Sequence, residues 1–261
     1  MRQDMELFGR LELPLDLANR AVQDPWDQEQ DVRVAEIGLR GDFGTFVYGQ
    51  TWLPYYSAIA FPVDLFSSYY SGFATYTAFR RGDTLAFYSP MFDGFSFAAA
   101  WSDDNGADND DRLQLTASYA FGATTVSLGL DDLGGDDDLR IWGVSLMHGI
   151  GRLYIGAKYE VHDSGIDSGF GARGDKAVNL YAGYTMGKNT FKAMVASVDN
   201  FGENIFHAGW DHQFGHQFMF FVEYYYEEET AAITEKRGGL AETAWDADGG
   251  QVFLGGLRYD F

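Results

Sequence analysis

The chain has 261 residues, a net charge of −21 at pH 7, no cysteine, and 32 glycines, 16 tyrosines and 22 phenylalanines against five prolines. The missing thiols exclude a disulfide framework and a thiolate metal site and suit an oxidising compartment. The acidic balance argues against nucleic-acid binding, which needs clustered Lys and Arg. No window reaches the ~18 consecutive apolar residues of a spanning helix. The longest strongly apolar run is Phe218 to Val222, so a membrane location requires a closed barrel. The N-terminal MRQDMELFGR has no apolar stretch of the kind an export signal carries, so such a signal has been removed or never existed.

Met5 to Leu17 alternates, with Leu7, Leu11, Leu13, Leu15 and Leu17 on one side and Arg10, Glu12 and Asp16 on the other. A period of two predicts a strand with one apolar face. Pro14 lacks an N–H and predicts irregular pairing near it. Ala18 to Asp31 reads as a polar loop. From Val32 the chain alternates through Arg40, turns at Gly41-Asp42-Phe43-Gly44 and returns from Thr45 to Trp52, a tight hairpin.

Leu53 to Gly82 breaks the pattern. It is aromatic, nearly neutral, ends in Arg80 and Arg81, and reads neither as a strand nor as a polar turn. Connections beyond about 12–15 residues are uncommon unless functional or disordered, and its aromatic content argues against disorder. We expect this segment to fold into a barrel and narrow it.

Hairpins then resume. Asp83–Pro90 and Phe95–Ser102 meet around Met91-Phe92-Asp93-Gly94, Arg112–Ala120 and Thr124–Leu130 at Phe121-Gly122, and Leu139–Met147 and Arg152–Val161 at His148 to Gly151. Lys176–Met186 and Thr190–Val198 meet at Gly187-Lys188-Asn189, Ile205–Gln213 and Gln217–Glu227 around Phe214-Gly215-His216, and Gln251 to Phe261 closes the chain. The total is about fourteen strands, the even number a single-chain barrel needs. Tight turns alternate with longer connections, including Asp103–Asp111, Asp131–Asp138, Asp163–Asp175 and Thr230–Gly250, as expected of a barrel with one short-turn rim and one long-loop rim. Aromatic residues sort the same way. Trp52, Trp101, Trp142 and Tyr226 fall toward the long loops, and Phe43, Phe92, Phe121, Phe214, Tyr259 and Phe261 toward the short turns, which predicts two interfacial belts. The expected fold is all-β: one transmembrane antiparallel up-and-down β-barrel over residues 1–261, with 53–82 as a loop in its lumen.

The run Gly38 to Gln50 (GLRGDFGTFVYGQ), then the long segment, then Thr84 to Phe97 (TLAFYSPMFDGFSF) resembles the centre of Gram-negative general porins. There a GxxGxFGxxxxG hairpin leads into a constriction loop and exits through a Y-[ST]-P-x-F-x-G-F strand pair. The ending Gly256 to Phe261, with Tyr259 two residues before a terminal aromatic, is similar to the signal read by barrel-assembly machinery, which marks Gly256, Tyr259 and Phe261. Relatives carry about sixteen strands with the loop on the third external connection. Here it is the second, implying one hairpin fewer, and Gln50 stands where many relatives have arginine. The resemblance implies an outer-membrane channel of a Gram-negative bacterium, not an enzyme. It further implies no cofactor, passive passage of small hydrophilic solutes and ions, contact with lipid and lipopolysaccharide, and a homotrimer.

Alternate strand residues face a barrel lumen, so the polar phase lists pore-wall candidates: Arg10, Glu12, Glu36, Arg40, Arg112, Lys158, Glu160, Lys192, Glu223 and Arg258, with Arg152, Asp211, Glu227 and Asp260. The two signs nearly balance, predicting pairing along the wall. Within the loop Asp64, Tyr69, Tyr70, Arg80 and Arg81 are constriction candidates, since charge in a narrow pore acts strongly. The acidic loops around Asp103, Asp108 and Asp110 and at Asp131 to Asp138 have oxygen ligands in cation-binding density but not the full calcium-loop spacing. A solvated acidic rim that gathers cations is the favoured reading, and cation preference follows from it. His207, His212 and His216 share no strand face, which discounts zinc. A substrate-specific channel, a non-conducting structural barrel and a barrel enzyme with a rim site remain as alternatives.

Overall fold

The computed structural model describes residues 5–16, 20–22, 32–68, 77–103, 111–134, 139–163, 173–199, 202–229 and 248–260. One antiparallel sheet of fourteen strands contains nearly all of the regular structure. Its strands are β1 (Glu6–Glu12), β2 (Val34–Gly41), β3 (Gly44–Trp52), β4 (Arg80–Tyr88), β5 (Phe95–Ser102), β6 (Arg112–Phe121) and β7 (Thr124–Gly134). They continue as β8 (Leu139–Ile150), β9 (Leu153–Asp163), β10 (Lys176–Met186), β11 (Asn189–Val198), β12 (Glu203–Gln213), β13 (Phe218–Glu229) and β14 (Asp248–Tyr259). Each strand pairs with the next, so the topology is up-and-down throughout. Among the described residues no ladder joins β1 to β14.

The alternation read from the sequence resolves into an inside-out pattern. Leu7, Tyr48, Leu85, Leu128, Trp142, Leu180 and Phe253 are exposed on the outer face, while Arg112, Lys158, Glu160, Lys192 and Glu223 are buried on the inner one. In water this would expose the apolar surface and bury charge, both costly. With hydrocarbon outside, the same arrangement is favourable. Among the described residues no helix is long and apolar enough to cross a membrane.

Three expected boundaries move. The first strand stops at Glu12, and Leu15–Asp16 pairs instead with Ala21–Val22 in a separate ribbon, because Pro14 cannot donate to the ladder. β7 runs through Gly134, so Asp131, expected in an external loop, is a strand residue with no exposed surface. Arg80 and Arg81, expected inside the long segment, open β4 and pair across from Trp52 and Thr51. Trp52 is half-buried rather than a belt residue: Tyr56 stacks on it at 4.8 Å and the Arg80 guanidinium lies 4.6 Å from its ring.

Candidate pore constriction

After β3 the chain turns inward. Residues Tyr56–Ala60 form a wide helical turn that tightens to a 3-10 turn at Phe61–Val63, where Pro62 occupies an early helical position. Tyr55, Ile59 and Val63 are spaced by four, which puts them on one helical face, and all three are fully buried. They pack with Ile141, Ala177, Tyr181 and Met194 of the inner wall. That spacing is present in the sequence, but residues 53–63 are apolar at almost every position, so no single helical face stands out there.

Glycines on the wall make the seat. A Cβ on Gly143 would overlap the Tyr55 hydroxyl, and one on Gly156 would overlap the Pro62 carbonyl oxygen. Any side chain there would push the loop off the wall. Polar bonds then fix its position. The Tyr55 N–H donates to Gln114 Oε1 at 2.9 Å, Ser145 Oγ donates to the Ala58 carbonyl at 2.6 Å, and the Tyr154 hydroxyl donates to the Pro62 carbonyl at 2.8 Å. Burial, then the Glu160 and Asp131 carboxylates, push the Tyr55 phenol well above its usual range, so the ring stays neutral.

Beyond Val63 the loop crosses toward β11, β12 and β13. Phe66 stacks on His207 at 3.5 Å between ring centres, and its edge meets Tyr181 at 5.6 Å. Glu223 anchors this end. It accepts the Ser67 N–H at 2.8 Å, the Ser68 N–H at 3.0 Å and the Ser68 hydroxyl, and Lys192 Nζ lies 3.1 Å away. Lys192 also reaches Asp211 at 2.9 Å and the Leu65 carbonyl at 3.3 Å. On the returning limb Thr77 Oγ1 donates to Asp131 Oδ2 at 2.6 Å, and Asp131 is held bidentately by Arg112 at 2.7 and 2.5 Å. Such forked pairs combine charge with geometry.

The sequence-derived wall residues therefore fall into two groups. Arg112, Lys158, Glu160, Lys192 and Glu223 lie buried beneath or beside the loop, with Lys158 bonded to Glu160 at 2.5 Å. Arg10, Glu12, Glu36, Arg40 and Arg258 lie on β1, β2 and β14, where Glu36 accepts the Thr51 hydroxyl at 2.5 Å near the foot of the loop. There Arg10 pairs with Glu12, Arg40 with Glu6 at 3.7 Å, and Arg258 with Asp260 at 2.9 Å. Arg152 sits in the tight turn between β8 and β9. Asp64 is in the loop and accepts the Tyr56 hydroxyl at 2.8 Å. Tyr69, Tyr70, Asp108, Asp110 and Phe261 lie outside the described residues. Asp103 caps the end of β5, its N–H donating to the Asp83 carbonyl at 3.2 Å. Gly256 on β14 leaves room for the Phe221 ring, and Tyr259 ends the strand exposed. Sequence reasoning missed the glycine seat, Gln114 and the inward role of Asp131 and His207. Nothing local distinguishes a wall glycine that admits a loop from one in a turn.

The fold has known counterparts. Salmonella typhi OmpF, solved in complex with daunomycin, superposes with a TM-score of 0.73 at 18% identity over 99% of this chain and 86% of that one. An anion-selective porin from Comamonas acidovorans gives 0.65 at 16% identity over 88% and 78%. The trimer form of OmpT from Vibrio cholerae, folded in vitro, gives 0.57 at 16% identity over 87% and 80%. No curated protein matches the sequence. The curled sheet thus has the fold of a porin barrel, and its inner face is the lumen. A family model for Gram-negative porins matches residues 4–232, most of the length described above. The chain belongs to the Gram-negative porin family.

Proposed function

We propose that the protein is a passive diffusion pore of the outer membrane for small hydrophilic solutes and ions, with the segment after Trp52 as its constriction and cations as the preferred ions. The observation that carries this reading is the seating of a helical loop on the charged inner face of an otherwise lipid-compatible sheet. Such a loop narrows a lumen and has no evident use in a soluble protein. Family and fold point to a channel rather than an enzyme.

The sign of the selectivity is argued from this chain's own charges, since one similar structure is an anion-selective porin and the fold does not decide it. On the loop side Asp131, Glu160, Asp211, Glu223 and Glu227, with Asp64 of the loop, stand against Arg112, Lys158 and Lys192 and, at the loop's return, Arg80 and Arg81, a small excess of carboxylates. On β1, β2 and β14 Arg10, Arg40 and Arg258 each have a carboxylate partner. A negative lumen with low-dielectric walls concentrates cations. Leu7, Leu11, Phe253 and Leu257 are strongly exposed on β1 and β14, and we assign that face to contact between protomers of a trimer. The remaining outer face meets lipid and lipopolysaccharide. Tyr259 and Phe261 with Gly256 serve as the assembly signal.

Reconstitution in a planar bilayer under a KCl gradient tests the reading. We expect stepwise current and a reversal potential of cation-selective sign. An anion-selective sign would overturn the selectivity, and a silent membrane would overturn the pore.

A further inference from the structure

The charges of the lumen are not spread evenly around it. Facing inward on β5 are Ser96, Ala98, Ala100 and Ser102, and on β7, inward from Asp131, only Gly129, Ser127 and Thr125. Between this sector and the loop lies a recess of about 220 Å³. Ser57 and Ala58 of the loop form one side, and Ser96, Thr116, Ser118 and Ser127 form the other, with Tyr88 and Met147 adding apolar surface. Among the described residues no carboxylate, ammonium or guanidinium lines it.

We propose that this recess is a subsite for a neutral hydroxyl-bearing solute, a polyol or monosaccharide, while ions follow the charged walls. This rests on the reading of the protein as a conducting pore.

Three features support the assignment. An ion entering the recess would give up water for a site with no counter-charge, at large cost. An alcohol would exchange water for groups of its own kind, since each Ser or Thr hydroxyl donates once and accepts twice. Ser118 and Ser127 bond to each other at 2.8 Å, which uses one of their two protons and leaves the other for a guest. The apolar faces of Tyr88 and Met147 suit the C–H surface of a sugar or polyol. Binding at such a site is weak, on the order of millimolar, because a transport subsite must also release its solute.

The test uses single channels in a planar bilayer in KCl, titrated with sorbitol and, in parallel, with triglyme, a polyether without hydroxyl donors. We expect the open-channel current to fall with sorbitol along a saturating curve, beyond the loss of bulk conductivity, and to follow bulk conductivity alone with triglyme. In Ser118→Ala/Ser127→Ala the saturating component should weaken by roughly three- to tenfold, the worth of one or two lost hydrogen bonds. Thr116→Val, nearly isosteric, should weaken it in the same direction and serves if the double variant fails to fold. A sorbitol response that tracks bulk conductivity, or that persists unchanged in these variants, would overturn the subsite while leaving the pore intact. Absence of any KCl current would defeat the pore and the subsite together.

Discussion

Replacing Glu223 by alanine should release the far end of the constriction loop. Glu223 has almost no exposed surface, accepts three donors from Ser67 and Ser68, and lies beside Lys192 and His207. Removing one partner of a buried, hydrogen-bonded ion pair costs about 3–5 kcal/mol. Lys192 keeps Asp211 at 2.9 Å, so its charge is not stranded, and the low end of that range applies. At about 3 kcal/mol the equilibrium for lifting residues Phe66–Ser68 off the wall shifts roughly a hundredfold, since 1.4 kcal/mol is a factor of ten. Tyr55, Ile59 and Val63 remain buried on the opposite half of the seat, so the loop should swing from an intact base. Single-channel recording should show new current fluctuations, and limited proteolysis should cut within the loop faster. Glu223→Gln, which keeps the acceptor oxygen but loses the charge, should fall between the two. Current noise and cleavage rates equal to wild type in Glu223→Ala would refute the anchoring role.

Gly156→Ala places a methyl group against the Pro62 carbonyl and disrupts the Tyr154 hydrogen bond. Overpacking of this kind costs about 1–3 kcal/mol, and the loop should be driven toward the pore axis, with a lower open-channel conductance as the readout. Truncating Ile59 to alanine removes a fully buried side chain from the seat and should weaken protection of the loop from proteolysis by about 2–5 kcal/mol. Asp131→Asn leaves Arg112 without its carboxylate and removes a negative charge from the lumen, so the reversal potential in a KCl gradient should move toward anion preference. Because burial raises the Tyr55 phenol above its ordinary value of 10.0, the unfolded loop loses its proton first. The seat should therefore be fully stable below about pH 10 and weaken as pH rises through the raised value. Tyr55→Phe should reduce that alkaline weakening, measured as loop proteolysis against pH, and Tyr55→Phe/Tyr154→Phe should remove the further part that comes from ionising the donor to the Pro62 carbonyl.

The strands were legible because a membrane barrel writes its fold locally. Every second residue must suit hydrocarbon and the others a wet lumen, so pairs such as Leu128 and Ser127, or Trp142 and Gly143, carry the period of two without reference to anything distant. Turn glycines punctuated the hairpins, and Pro14 announced the break after β1. The wall charges could be named for the same reason, since Lys158, Lys192 and Glu223 each sit on the polar phase of their own strand.

What each of those charges does was decided only by the tertiary structure. Ser67 and Ser68 meet Glu223 across more than 150 positions of chain, and Asp131 turns from a loop acid into the hub between Arg112 and Thr77. Gly143 and Gly156 read as ordinary strand glycines until Tyr55 and Pro62 are laid over them. The sequence by itself determined a lipid-facing barrel with one inward segment, because alternation is a property of neighbours along the chain. Where that segment rests, which charges it covers and which sector of the lumen it leaves uncharged depend on packing between distant strands, and no local pattern encodes that.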